Sequence, residues 1–264
     1  MHLDLTGRTA LITGSTSGIG HAIATAFARS GAHVVLNGRD EKRTAEIAAL
    51  MVTETGNPDI RPVAADVSTA EGADTLIAAV PDVDILINNT GIFGAQPVFE
   101  IPDSEWTRFF EVNVLSGVRL ARHYTPRMVT RGWGRVVFIS SESGVMTPTE
   151  MVHYGMTKTA QLAVSRGMAQ SVAGTGVTVN SVLPGPTLTP GVEELLADRI
   201  GADVPLDEAG RRFIAEERPT SLLGRLITPE EVANMVLYVS SPLASATTGG
   251  ALRVDGGVAP TLIP

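Results

Sequence analysis

A chain of 264 residues with 44% hydrophobic and 18% charged residues and 27 glycines has the apolar material for a large core, which excludes a disordered polypeptide. Its formal net charge of −8 argues against a partner held through phosphate backbone, so nucleic acid is not expected, although a local basic pocket for one phosphorylated ligand remains open. With no cysteine, disulfides, thiol catalysis and thiolate metal sites are excluded; the five histidines have no metal-ligand spacing, and no metal is expected.

The N-terminal stretch carries Asp4 and Arg8 in place of a signal-peptide core. No uncharged apolar run reaches the roughly 18 residues of a membrane span, which predicts a soluble, cytoplasmic protein. "TALIT" from Thr9 reads as a buried strand, and the glycines of "TGSTSGIG" lead into a helical pattern that stops at Gly31. Residues 33–37 predict a second strand, 40–55 an amphipathic helix, and 60–67 a third strand. A helix follows, with Ser68 and Glu71 read as its capping box. Further strands are expected at 83–89, 134–140 and 176–184, separated by helices around 106–128 and 151–172. Thr228 and Glu231 box a last helix with Pro229 at its first position, and "ALRVDGG" closes the series as a seventh strand. Strands that alternate with helices and read as continuous Val, Ile and Leu runs predict an α/β fold. The expected form is a doubly wound, parallel, seven-stranded sheet with helices on both faces, in one domain over residues 1–264. Residues 187–225 exceed an ordinary connection and are expected to form a lid.

Gly14, Gly18 and Gly20 lie between the first strand and first helix. Absent side chains there let the backbone approach a pyrophosphate at a helix N-terminus. Asp66, followed by Val67, ends the third strand with a carboxylate that could accept from an adenine amino group. The end of the second strand, "VVLNGRD", has Gly38 where an NAD enzyme would usually carry an acid, and Arg39 beside it suits a 2′-phosphate. NADP(H) is therefore the expected cofactor. In "HYGMTKTA", Tyr154 and Lys158 are an i, i+4 pair on one helix face. A free tyrosine titrates near 10; bringing that toward neutrality asks for about 3–4 kcal/mol of phenolate stabilisation, with Lys158 as its local source.

Six motifs in order, "TGSTSGIG", "NNTG", "EVNVLSG", Ser141, "YGMTK" and "PGPTLT", give the whole chain a resemblance to the single-domain short-chain dehydrogenases/reductases. Thr90 departs from the alanine more usual there. The resemblance implies that Tyr154 is the general acid/base in ketone and alcohol interconversion. Ser141 would hold the substrate oxygen, Lys158 the nicotinamide ribose, and Asn113 a water that relays protons past the lysine. It further implies a dinucleotide held by Gly14, Ser15, Ser17, Gly18, Ile19 and Gly20, by Arg39, Asp66 and Val67, and by Asn89, Thr90 and Gly91. Tyr154, Lys158, Pro184, Gly185, Thr187 and Thr189 complete that set, with Thr187 giving backbone contacts and Thr189 touching the pyrophosphate. A small-molecule carbonyl or alcohol substrate and a homotetramer are implied too. His153 is expected to pack or to form a pocket wall, and Glu142, Met146, Glu150 and Met151 are candidate cleft residues. Two other readings stand beside this one. A 3-oxoacyl-carrier-protein reductase would dock an acidic carrier on Arg131, Arg135 and Arg166, although Gln170 stands where such enzymes often present arginine. A non-catalytic NADP-binding regulatory subunit would bind the dinucleotide and turn nothing over.

Overall fold

Side chains alternate across a strand, so a strand buried along its length must be covered on both faces. That holds for β1 (Thr9–Ile12), β2 (His33–Gly38), β4 (Ile85–Asn88), β5 (Gly134–Ile139) and β6 (Val177–Pro184), whose interiors are buried. With β3 (Ile60–Ala64) and β7 (Ala251–Val254) they form one parallel seven-stranded sheet in the order β3-β2-β1-β4-β5-β6-β7. The computed structural model describes residues 3–262. Met1, His2, Ile263 and Pro264, the ends of the expected domain, lie outside the described residues.

Each face has its own apolar layer. Ile12, Leu36, Ile87 and Val137 point to one side, against α1 (Gly18–Arg29), α2 (Glu41–Thr55) and α9 (Pro229–Ser240). Their chain neighbours Leu11, Val35, Leu86, Val136 and Phe138 point to the other side. There they meet α3 (Ala70–Ala79), α5 (Ser116–Arg131) and the end of α6 (Val152–Ser171). The chain winds outward from β1 in both directions, and the crevice where the strand order reverses opens at the carboxyl ends of β1 and β4.

Two helices differ from expectation. Helix α3 is capped by Thr69, whose hydroxyl accepts from Gly72 N at 3.0 Å. Ser68 is not the cap, because its hydroxyl and its N–H both donate to the Asp66 carboxylate, at 2.7 and 3.1 Å. The helix expected around 106–128 is α4 (Asp103–Phe110), a π turn at Glu111–Leu115, and then α5. Residues 187–225 hold α7 (Pro190–Arg199) and α8 (Leu206–Glu217), which share a small core of Leu196, Ala209, Phe213 and Ile214. Among the described residues no helix is long and apolar enough to cross a membrane.

The box at α9 is complete: Glu231 N donates to Thr228 Oγ1 at 3.3 Å, and Thr228 N donates to Glu231 Oε2 at 2.8 Å. Hydrogen bonds from Arg225 and the Thr228 N–H hold the Glu231 carboxyl down to about 2. Thr228→Ala is expected to cost about 1 kcal/mol, read as a lowered urea midpoint at unchanged slope. An unmoved midpoint would show that the cap contributes nothing.

Candidate active site

The glycine turn is built for a close approach. Gly14 and Gly18 have φ of 60° and 54°, the left-handed region that favours glycine. At Gly20 the constraint is space, since a Cβ would stand 2.4 Å from both Asn89 Nδ2 and the Gly14 carbonyl oxygen. Asn89 explains the crowding: its amide donates to the Thr13 and Gly14 carbonyls at 2.9 and 3.1 Å, locking the turn to the end of β4. The bare backbone left exposed fits a pyrophosphate at the start of α1.

A cavity of about 730 Å³ runs from this turn along the carboxyl edge of the sheet. Ser17, Gly18, Ile19, Gly20, Arg39, Asp66, Val67, Asn89, Thr90 and Gly91 line one part of it. Ser141, Tyr154, Lys158, Pro184, Gly185, Thr187 and Thr189 line another, with Pro190, Val192, Leu195, Phe213 and Arg218 of the 187–225 segment above. Two expected residues are not on the wall. Ser15 is fully buried; its N–H donates to Asn37 O at 2.9 Å and its hydroxyl to Ile12 O at 2.8 Å, so it ties the turn to β1 and β2. Its neighbour Thr16, which the sequence reading passed over, lines the cavity instead.

Asn113 is also buried behind the wall. Its side chain accepts from Ile92 N at 2.8 Å and donates to Ile92 O and Thr157 Oγ1, both at 3.0 Å. Its carbonyl accepts from the amide of Gln161 at 2.5 Å, and Gln161 Oε1 in turn lies 3.4 Å from Lys158 Nζ. The Gln161 side chain thus links Asn113 to Lys158. Gln161, three residues after the lysine, was missed because a glutamine at that position belongs to no motif.

The remaining polar groups are tightly committed. Lys158 Nζ donates to Ile139 O at 2.9 Å and lies 5.5 Å from the centroid of the Tyr154 ring. Burial brings the Lys158 ammonium down to about 8. Tyr154 departs from the expectation of a lowered pKa: burial first, and then the charge of Glu142, push its phenol well above the usual tyrosine value, against the opposing pull of a hydrogen bond with Ser141. Ser140 spends its hydroxyl on the Lys158 carbonyl at 2.8 Å. Ser141 donates to the Glu142 carboxylate by a short hydrogen bond. His153 is clamped between Trp106 and Phe109, with ring centroids 6.1 and 4.0 Å away, and packs.

At the end of β2, Arg39 is exposed and lines the cavity. The next carboxylate, Asp40, is occupied as the cap of α2, accepting from Arg43 N at 2.6 Å. Gly38 is hemmed in: a Cβ there would stand 2.6 Å from Thr16 Cγ2 and 2.7 Å from Thr44 Oγ1. Among the described residues no group of three or more His, Asp or Glu could hold a metal ion.

Sheet order, glycine turn and edge cavity define a Rossmann-type α/β protein. The family model described as enoyl-(acyl carrier protein) reductase matches residues 14–259, and the chain belongs to the short-chain dehydrogenase/reductase family of oxidoreductases. It is similar to the uncharacterized oxidoreductase YvaG of Bacillus subtilis (strain 168), 51% identical over 98% of each chain. A 3-oxoacyl-[acyl-carrier-protein] reductase of Rickettsia felis is 30% identical, over 97% of this chain and 98% of the relative. Among solved structures, L-sorbose reductase from Gluconobacter frateurii, complexed with NADPH and L-sorbose, superposes with a TM-score of 0.92 at 33% identity, covering 99% of this chain and 100% of that one.

Gly20→Ala is expected to weaken dinucleotide binding roughly tenfold or more by forcing Asn89 and the Gly14 carbonyl apart. Fluorescence titration with NADPH measures it, and an unchanged Kd would contradict the packing argument.

Proposed function

We propose that the protein is an NADP(H)-dependent oxidoreductase that interconverts a ketone and a secondary alcohol. The observation that carries this reading is the convergence of Ser141, Tyr154 and Lys158 on one stretch of cavity wall beneath α7 and α8. When bound, the dinucleotide supplies or accepts the hydride. The glycine turn, Asn89, Thr90, Gly91 and the 184–189 segment would hold it, with Arg39 meeting the 2′-phosphate and Asp66 and Val67 beside the adenine. The NADPH complex of the sorbose reductase supports that choice of nucleotide.

Tyr154 gives its phenol proton to the carbonyl oxygen during reduction. Its surroundings raise the pKa, so it stays protonated through the neutral range. Ser141 holds the same oxygen by its hydroxyl. Lys158, charged below about 8, places a cation under the phenol and toward the ribose. Asn113 positions these groups from behind, through Thr157 and Gln161. Residues 187–225 would act as the lid over the substrate, shielding the reacting atoms from water. A cytoplasmic homotetramer, formed from one 264-residue domain, completes the reading.

The relative from Rickettsia felis favours a second reading, a 3-oxoacyl-carrier-protein reductase. The arginines expected to dock the carrier are otherwise engaged. Arg135 is 2% exposed and stacked under Trp133, Arg131 pairs with Asp82 at 2.9 Å, and Arg166 reaches the Gly249 carbonyl at 3.3 Å. Comparing a short 3-oxoacyl thioester with its carrier-bound form separates the two, since a docking enzyme prefers the latter. A non-catalytic regulatory subunit would bind NADPH and reduce nothing in a carbonyl panel.

Tyr154→Phe is expected to lower kcat by roughly 10²- to 10⁴-fold while NADPH affinity stays nearly unchanged; substantial residual turnover would sink the acid/base assignment. Arg39→Ala should raise the NADPH Kd by roughly ten- to a hundredfold and leave NADH binding alone. Better kcat/KM with NADH in the native protein would reverse the cofactor assignment. Carbonyl reduction should fall as pH rises through about 8, where Lys158 loses its proton and its charge. A kcat/KM profile flat from pH 7 to about 9.5 would remove Lys158 as the controlling group.

A further inference from the structure

The Ser141 hydroxyl has one proton to give, and in the structure it goes to the Glu142 carboxylate. Glu142 is only 4% exposed yet lines the cavity, while the neighbouring Ser143 N–H donates to Ser141 Oγ at 3.1 Å. The nearest cation, Arg218 Nε, lies 3.6 Å from Glu142 Oε1, outside hydrogen-bond reach. When a carbonyl oxygen takes the Ser141 proton, as the reading above requires, Glu142 loses that donor in a nearly dry site. A buried acceptor left short is penalised, so a simple ketone binds at a disadvantage. A hydroxyl on the carbon next to the carbonyl removes the penalty. Oxygens on adjacent carbons lie about one hydrogen-bond length apart, which matches neighbouring contacts with Ser141 and Glu142.

Arg218, in the segment after α8, offers the complementary group. It is 8% exposed and lines the same cavity. Its Nη1 donates to the Glu217 carbonyl at 2.7 Å, but its buried Nε–H has no hydrogen-bond partner. A spare donor beside an acceptor suits a hydroxyl, which both donates and accepts. The pair suits a carboxylate poorly, because Arg218 already faces Glu142 at 3.6 Å and Glu150 at 3.5 Å, and Asp255 adds negative charge near Glu142.

We propose that Glu142 and Arg218 are a hydroxyl-recognition pair, so that the substrate is a ketone bearing a hydroxyl on the carbon next to the reacting one, and the product a vicinal diol. The neighbouring hydroxyl is bound and left unchanged. This rests on the ketone reductase reading proposed above.

The test compares acetoin with butan-2-one, which differ by that one hydroxyl, in NADPH-dependent reduction. The native protein should favour acetoin at least roughly tenfold in kcat/KM, and Glu142→Gln should collapse the ratio. Binding without turnover gives a second readout: the NADPH-loaded native protein should bind butane-2,3-diol more tightly than butan-2-ol by a similar factor in NMR titration. Equal kcat/KM for the two ketones, or equal Kd for the two alcohols, overturns the pair while the oxidoreductase reading stands. A preference that survives Glu142→Gln intact overturns the role of Glu142. Reduction of neither ketone, nor of any in a wider carbonyl panel, overturns both readings together.

Discussion

The site depends on a reciprocal bond between β5 and α6. Lys158 reaches down to the Ile139 carbonyl at 2.9 Å, and Ser140, one residue further along, reaches back to the Lys158 carbonyl at 2.8 Å. The two bonds fix the helix against the strand end in both translation and rotation. Gly144 allows the fit, because a Cβ there would stand 3.0 Å from the Lys158 backbone carbon. With α6 so held, Tyr154 one turn earlier meets Ser141, and the groups named for acid/base work share one wall without being near in sequence. An ammonium buried here is costly, and its acceptors offset part of that cost.

The same burial sets the electrostatics. Taking charge out of water lowers a lysine and raises a tyrosine, so Lys158 and Tyr154 move apart on the pH scale. Sequence spacing suggested that the cation alone would draw the phenol down. It omitted Glu142, which is next to Ser141 in the chain and whose charge favours the neutral phenol. The protein has thus placed a carboxylate where only a lysine effect was anticipated, and Arg218 from the 187–225 segment faces it.

Features fixed by local chemistry were legible in the sequence. Strands buried on both faces show as short Val-, Ile- and Leu-rich runs, and the box at Thr228 and Glu231 is a four-residue pattern with one geometry. Ambiguity arose where two local solutions compete. Ser68 and Thr69 are both good caps, and the Asp66 carboxylate decides between them by taking Ser68 for itself. The π turn holding Asn113 has no periodic signature, since one extra residue per turn over Glu111–Leu115 leaves the surrounding pattern intact. Ser15 and Thr16 are chemically alike, and only the direction of the turn tells which faces the cavity. Arg218 lies 64 positions beyond Tyr154, and no spacing rule connects them.

The crowding at Gly38 bears on how such a protein could change over evolutionary time. A carboxylate at the end of β2 would need room now filled by Thr16 and Thr44, which belong to the glycine turn and to α2. One substitution there would disturb the phosphate cradle before it could offer anything to a ribose, so the first step of a switch in nucleotide is harmful. On the proposed NADP(H) reading, nucleotide choice would therefore be buffered against drift. It would change only along routes that first trim the neighbouring threonines, or that work from the exposed loop and leave the strand alone.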